Sequence, residues 1–208
     1  KFSYGQCSGL IELNTQGEID SFGINYGCSI IDGDIGISNP FPNETFNLES
    51  LSAITAITGN LYLSGKLILS TGLDNLANIE GNLIIENNPF IVDLTNFQNV
   101  SFIGGNITIS GNTDLQSLEG LDILLVEQDL TISNNNSLVN LLGLSNIGNI
   151  NGSVTITGNN LLESLEGLNI STIHQDLSII NNDTLVSLNG LSNISTVLGS
   201  LKISGNYD

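Results

Sequence analysis

The chain of 208 residues contains no tryptophan, no methionine and no arginine, and only one histidine and two cysteines. Aromatic residues supply 5% of it against 40% hydrophobic residues overall, so the apolar material is mostly leucine and isoleucine. That palette suits many small, near-identical layers better than one large irregular core. Basic residues are nearly absent: Lys1, Lys66 and Lys202 stand against 21 acidic residues, for a net charge of −18. Phosphate recognition needs clustered Lys or Arg, so nucleic acid is excluded as a partner, and an anionic bilayer would be repelled. No apolar run approaches the ~20 residues of a membrane span, so direct membrane insertion is not expected. No leader peptide is visible, and the chain reads as a mature or excised segment.

The scarcity of histidine and cysteine also limits the chemistry. Cys7 and Cys28 could be free thiols, a metal half-site or a disulfide. With His174 the only histidine, four metal ligands are not in sight, and no metal or other cofactor is expected. A Cys7–Cys28 disulfide would contribute roughly 3 kcal/mol by closing its short loop, and it implies an oxidising compartment. Nucleophilic catalysis needs a base beside the nucleophile, and nothing around His174 forms such a motif. "DGD" at 32–34 is too short for a calcium loop, and no phosphate-binding glycine motif opens a helix. The reading is a non-enzyme.

What the chain does have is a repeat. The phrase "SLEGL" occurs at 117–121 and 164–168, with "NLLGL" at 140–144 between them and "SLNGL" at 187–191 after them. Short alternating runs precede these phrases: "DIGIS" (34–38), "NLYLS" (60–64), "NLIIE" (82–86), "NITIS" (106–110), "DLTIS" (129–133), "SVTIT" (153–157), "DLSII" (176–180) and "SLKIS" (200–204). Period-two alternation marks half-buried strands, with Leu130 and Ile132 inward and Asp129, Thr131 and Ser133 outward. Three residues past the second inward apolar comes a column of asparagines: Asn88, Asn112, Asn135, Asn159, Asn182 and Asn206. Inward apolar positions then recur every third residue, as in Leu138, Leu141 and Leu144, which describes short bends rather than a helix. Stacking such coils puts like positions about 4.8 Å apart. The columns respect this: Leu142 separates Glu119 from Glu166, and Ser153 separates Asp129 from Asp176, a super-period of 47 residues. The asparagines are expected to form an internal ladder that satisfies the backbone of the turns.

These observations predict an all-β solenoid of about eight coils, each 22–26 residues long. Residues 1–28 would be a cap, with a short helical stretch in "NTQGEIDSF" (14–22) tied down by the disulfide, and 29–208 one continuous run of coils. No closing element follows "SGNYD", and the expectation is a piece of a larger protein.

Around the second cysteine the sequence resembles a known family. "CSG" (7–9) and "CSIIDGDIGI" (28–37), with Cys28, Ile31, Gly33, Ile35 and Ile37 in order, are similar to the start of a receptor L domain. The phrase recurs in "ITAITGNLYLS" (54–64), "LANIEGNLIIE" (76–86) and "IGNINGSVTIT" (147–157). The resemblance implies a right-handed, leucine-rich-repeat-like β-helix on a secreted or cell-surface protein that binds a ligand or a surface. The chain departs from receptor members in its regularity and in lacking closing cysteines, so no growth-factor ligand is carried over.

Three uses of the outward strand face follow. Tyr62, Ile84 and Glu86 form an aromatic and aliphatic cluster suited to adhesion or to recognition of a protein or glycan, unless the irregular loop 38–47 covers it. Thr108 and Ser110, Thr131 and Ser133, and Thr155 and Thr157 form a hydroxyl array like the ranks of ice-binding solenoids, interrupted by Ile180 and Lys202. Alternatively the face binds nothing and the segment is a rigid spacer. Sequons at Asn43, Asn99, Asn106, Asn135, Asn151, Asn169, Asn182 and Asn193 are read mostly as chance, and a glycan would not fit at Asn135 or Asn182 in the ladder.

Overall fold

The computed structural model describes residues 7–41, 44–69 and 71–206. Among them, nine strands build one parallel sheet in strict chain order. They are Ile11–Leu13, Ile35–Ser38, Leu61–Ser64, Leu83–Glu86, Ile107–Ser110, Leu130–Ser133, Val154–Thr157, Leu177–Ile180 and Leu201–Ser204. Eight two-residue strands, from Ile30–Ile31 to Thr196–Val197, form a second, narrower parallel sheet, also in chain order. The result is a β-rich, solenoid-like fold of parallel sheets with one helix. The pairing of Leu130 with Val154 and of Ser133 with Thr157 puts "DLTIS" and "SVTIT" side by side, as the repeat requires. The strand Ile11–Leu13 lies inside the segment read as cap; at three residues it is too short to show alternation in the sequence.

Inward positions of both sheets are filled by aliphatics. Ile107, Ile109, Leu130 and Ile132 from the wide sheet and Ile103, Val126 and Ile150 from the narrow one have no solvent exposure. Phe46 and Phe97 are the bulkiest side chains fully buried in the core. The last coil is different. Leu188, Leu201 and Ile203 are 47%, 59% and 39% exposed, because no described coil lies over their inward columns.

The helix is Gln16–Tyr26, longer than the one or two turns expected. Thr15 caps it by accepting from the Glu18 N–H at 3.1 Å, while Glu18 Oε2 reaches one residue further back and accepts from the Asn14 N–H at 2.8 Å, a variant of the capping box that fixes the start. Gly27, at φ 54°, ends it. Ile19 and Phe22 are buried against the first coils, and the Cys7–Cys28 disulfide is formed, with Cα atoms 6.2 Å apart.

The corners explain why "SLEGL" and "NLLGL" alternate. In one version an Asx side chain accepts the N–H two residues on and a short 3₁₀ helix follows. Asn140 does this for Leu142 at 3.1 Å before Leu142–Leu144, and Asp93 for Thr95 at 3.0 Å before Thr95–Phe97. In the other version serine replaces Asx, as Ser117 accepts from Glu119 and Ser164 from Glu166, and a left-handed glycine follows. Gly120 has φ 106°, and a Cβ there would sit 1.9 Å from the Leu94 carbonyl oxygen of the preceding coil.

Candidate functional site

Period-two alternation turns every second residue of the wide sheet outward, and in-register pairing gathers them into two ranks. One rank runs Tyr62, Ile84, Thr108, Thr131, Thr155, Ser178 and Lys202. The other runs Ser64, Glu86, Ser110, Ser133, Thr157, Ile180 and Ser204. Strand geometry spaces neighbours by about 4.8 Å across coils and about 6.8 Å along a strand. All nine residues singled out for binding therefore share one flat face. Tyr62 is 38% exposed, and Ile84, Glu86 and the hydroxyl residues are half-buried by their neighbours. Ser110 Oγ lies 3.5 Å from Glu86 Oε2, at the limit of a hydrogen bond.

Tyr62 keeps 38% exposure, and residues 42–43 of the 38–47 loop lie outside the described residues. Asn39 turns the chain by donating to the Glu44 carbonyl at 2.9 Å and accepting from the Phe41 N–H at 3.0 Å. The loop then sends Phe46 into the core beside Leu67, beyond the strand ends.

The asparagine column is interior. Asn112, Asn135, Asn159 and the other members are buried, and most do the same work. Asn135 Oδ1 accepts from the Asn112 N–H of the preceding coil at 3.0 Å, and Asn135 Nδ2 donates to the Ile109 carbonyl at 2.9 Å. Asn182 repeats this with Asn159 and Ile156; Asn88 donates likewise to the Leu63 carbonyl but accepts from the Leu67 N–H, and Asn206 closes the column at Ile179. These residues have no atoms left for a ligand. The sequons at Asn135 and Asn182 thus lie where no glycan fits; Asn43 falls outside the described residues.

A second ladder was not apparent as one in the sequence. At the residue before each strand, Asp34, Asn60, Asn82, Asn106, Asp129, Ser153 and Asp176 each accept the N–H of the corresponding residue one coil later. It runs in the opposite sense to the inner one. Asp129 and Asp176 accept from Ser153 and Ser200, both at 2.7 Å, so the alternation there has a backbone role as well as separating charge. A clue was available: every member of that column is Asp, Asn or Ser, the side chains that compete for backbone N–H groups.

The remaining chemistry is sparse. His174 is exposed, with Nδ1 3.2 Å from the Ile150 carbonyl oxygen. Among the described residues no group of three or more His, Cys, Asp or Glu side chains could hold a metal ion, and no helix is long and apolar enough to cross a membrane. On the narrow sheet an open cleft of about 700 Å³ is lined by Asn78, Glu80, Phe102, Gly104, Glu127 and Gln128, none of which the sequence reading singled out. No protein family, curated protein or solved structure compared with this chain matches it.

Proposed function

We propose that the chain is a non-catalytic extracellular recognition or adhesion module of the receptor L-domain type, a right-handed, leucine-rich-repeat-like β-helix of about eight coils behind a disulfide-linked cap. It binds a protein or glycan on its wide outward face. The observation that carries this reading is the placement of exposed Tyr62 beside Ile84 on the outward face of the wide sheet. Amphipathic aromatics with neighbouring apolar surface are typical anchors of an interface. The disulfide supports an oxidising environment, and a net charge of −18 disfavours polyanionic partners. The test is a glycan and extracellular-protein array. Reproducible binding that Tyr62→Ala reduces about tenfold, as expected for an anchor residue, supports recognition. A blank array supports the rigid-spacer alternative.

A second reading is favoured by the strict register of Thr108, Thr131 and Thr155 with Ser110, Ser133 and Thr157 alongside. A flat hydroxyl lattice of this kind could order water against ice. Thermal hysteresis indistinguishable from that of a buffer control would remove it.

A further inference from the structure

The cleft on the narrow sheet lies on a different face from the residues discussed above, and its chemistry is of another kind. Its three contributing strands are Asn78–Ile79, Phe102–Ile103 and Leu125–Val126. Ile79, Ile103 and Val126 point inward and are fully buried, which turns Phe102 outward, where it is 40% exposed. One residue past each inward position the chain faces out again, at Glu80, Gly104 and Glu127. The Gly104 N–H donates to the Ile79 carbonyl at 2.9 Å, which sets Gly104 next to Glu80 in this column.

Gly104 shapes the cleft. A Cβ there would lie 3.2 Å from Phe102 Cε1 and 2.4 Å from the Glu80 carbonyl oxygen, so the phenylalanine ring leans over a position that only glycine leaves flat. Glu80 and Glu127 flank that ring from two coils apart, roughly 9–10 Å at strand spacing. Glu127 Oε2 accepts from Asn151 Nδ2 at 2.8 Å, which holds its carboxylate in place. The Glu80 carboxylate has no hydrogen-bond partner among the described residues and is exposed.

An aromatic floor between two carboxylates is complementary to a cation. The ring face attracts positive charge within about 6 Å of its centre, and a guanidinium can reach a carboxylate while stacked on a ring. The chain cannot easily fill the cleft itself, because its basic side chains are three lysines and one histidine and none lines it. We infer that this cleft docks a basic side chain of a protein partner, an arginine or lysine seated over Phe102 between Glu80 and Glu127. This surface is independent of the wide-face reading, and either can fail without the other.

The test uses the full chain and a fluorescent hexa-arginine peptide, followed by anisotropy in about 0.15 M salt, where surface charges are screened beyond roughly 8 Å. Phe102→Ala leaves the net charge unchanged and is expected to weaken binding about 5-fold, while Phe102→Tyr keeps wild-type affinity. Paired Glu80→Gln and Glu127→Gln should weaken binding by at least as much. The charge-matched pair Glu163→Gln and Glu166→Gln, on another side of the coils, should change it less than about twofold. Equal weakening by both glutamine pairs, with Phe102→Ala indistinguishable from wild type, would show only general attraction to an acidic surface and would overturn the inference. Tyr62→Ala should leave hexa-arginine binding unchanged, which separates this result from any outcome on the wide face.

Discussion

Replacing Asn135 with alanine would strip the Asn112 N–H of its acceptor and leave the Ile109 carbonyl without its side-chain donor, both deep in the stack. Buried groups left unpaired cost about 1–3 kcal/mol each. Asn135→Ala is therefore expected to lower unfolding free energy by on the order of 3 kcal/mol in urea titration. Asp129→Ala, in the exposed ladder, should cost only about 1 kcal/mol, because water can replace its oxygen. Position was legible here and direction was not: spacing located the inner asparagines, but which coil each amide serves depends on how the strands stack. The residue just past each strand shows a subtler rule. Asn87, Asn134 and Asn181 have φ of 57°, 56° and 54°, and they alternate with Gly111, Gly158 and Gly205 at 65°, 67° and 63°. A Cβ at Gly158 would meet Asn134 Oδ1 at 2.5 Å, so each asparagine side chain covers the glycine of the next coil. Gly158→Ala should thus destabilise by about 1–2 kcal/mol from the left-handed backbone alone, and more from the contact. Exchanging the pair, Gly158→Asn with Asn134→Gly, recovers less than either change suggests, because Gly158 also neighbours Asn181 one coil on.

At the scale of elements, the helix Gln16–Tyr26 is bracketed by the Cys7–Cys28 disulfide. Thr15→Ala removes the side-chain acceptor of the Glu18 N–H and should cost about 1 kcal/mol in a thermal melt. Cys7→Ser with Cys28→Ser should cost roughly 3 kcal/mol by restoring entropy to the unfolded chain. The expected "NTQGEIDSF" stretch contained the cap and the two inward residues, Ile19 and Phe22, yet the helix runs on to Tyr26. Its last turn carries no comparable apolar pattern; it persists until Gly27 takes the left-handed turn, with Phe22 and Tyr26 rings stacked 5.4 Å apart. The narrow sheet was also under-read, because two-residue strands show no period. Ile57, Ile79 and Ile150 stand out in the sequence by preceding glycine two residues on, but the outward neighbours of such isoleucines, Phe102 beside Ile103 among them, carry no pattern.

For the whole molecule, coils that touch only their neighbours make stability approximately a sum over coils and interfaces, provided the interfaces match. The matching unit is two coils, because the Asn–Gly column repeats after 47 residues, as the corners do from Asp93 to Ser164; the corner at Ser187 keeps the serine form of the one before it. Deleting residues 111–157 joins Ser110 to Gly158 and keeps Asn87 beside a glycine; deleting 111–133 puts Asn87 beside Asn134. The 47-residue deletion is expected to fold with a cooperative melt, and the 23-residue deletion to melt at lower temperature although it leaves the longer chain. Circular dichroism compares them directly. A net charge of −18 against three lysines also predicts a melting temperature that rises between low salt and about 0.3 M salt, as repulsion is screened.

Periodicity alone determined the coil length, the wide strands, the inward columns and the asparagine ladder, since each is a local pattern that stacking merely repeats. Tertiary structure decided which oxygen meets which N–H between coils and why two corner chemistries take turns. It also decided which outward residues stand together: Tyr62 beside Ile84, and Phe102 leaning over Gly104 between two glutamates. The reason is physical. Apart from Phe102 and Gly104, which are two residues apart, those contacts join residues some two dozen positions apart, and their geometry exists only once neighbouring coils are laid in register.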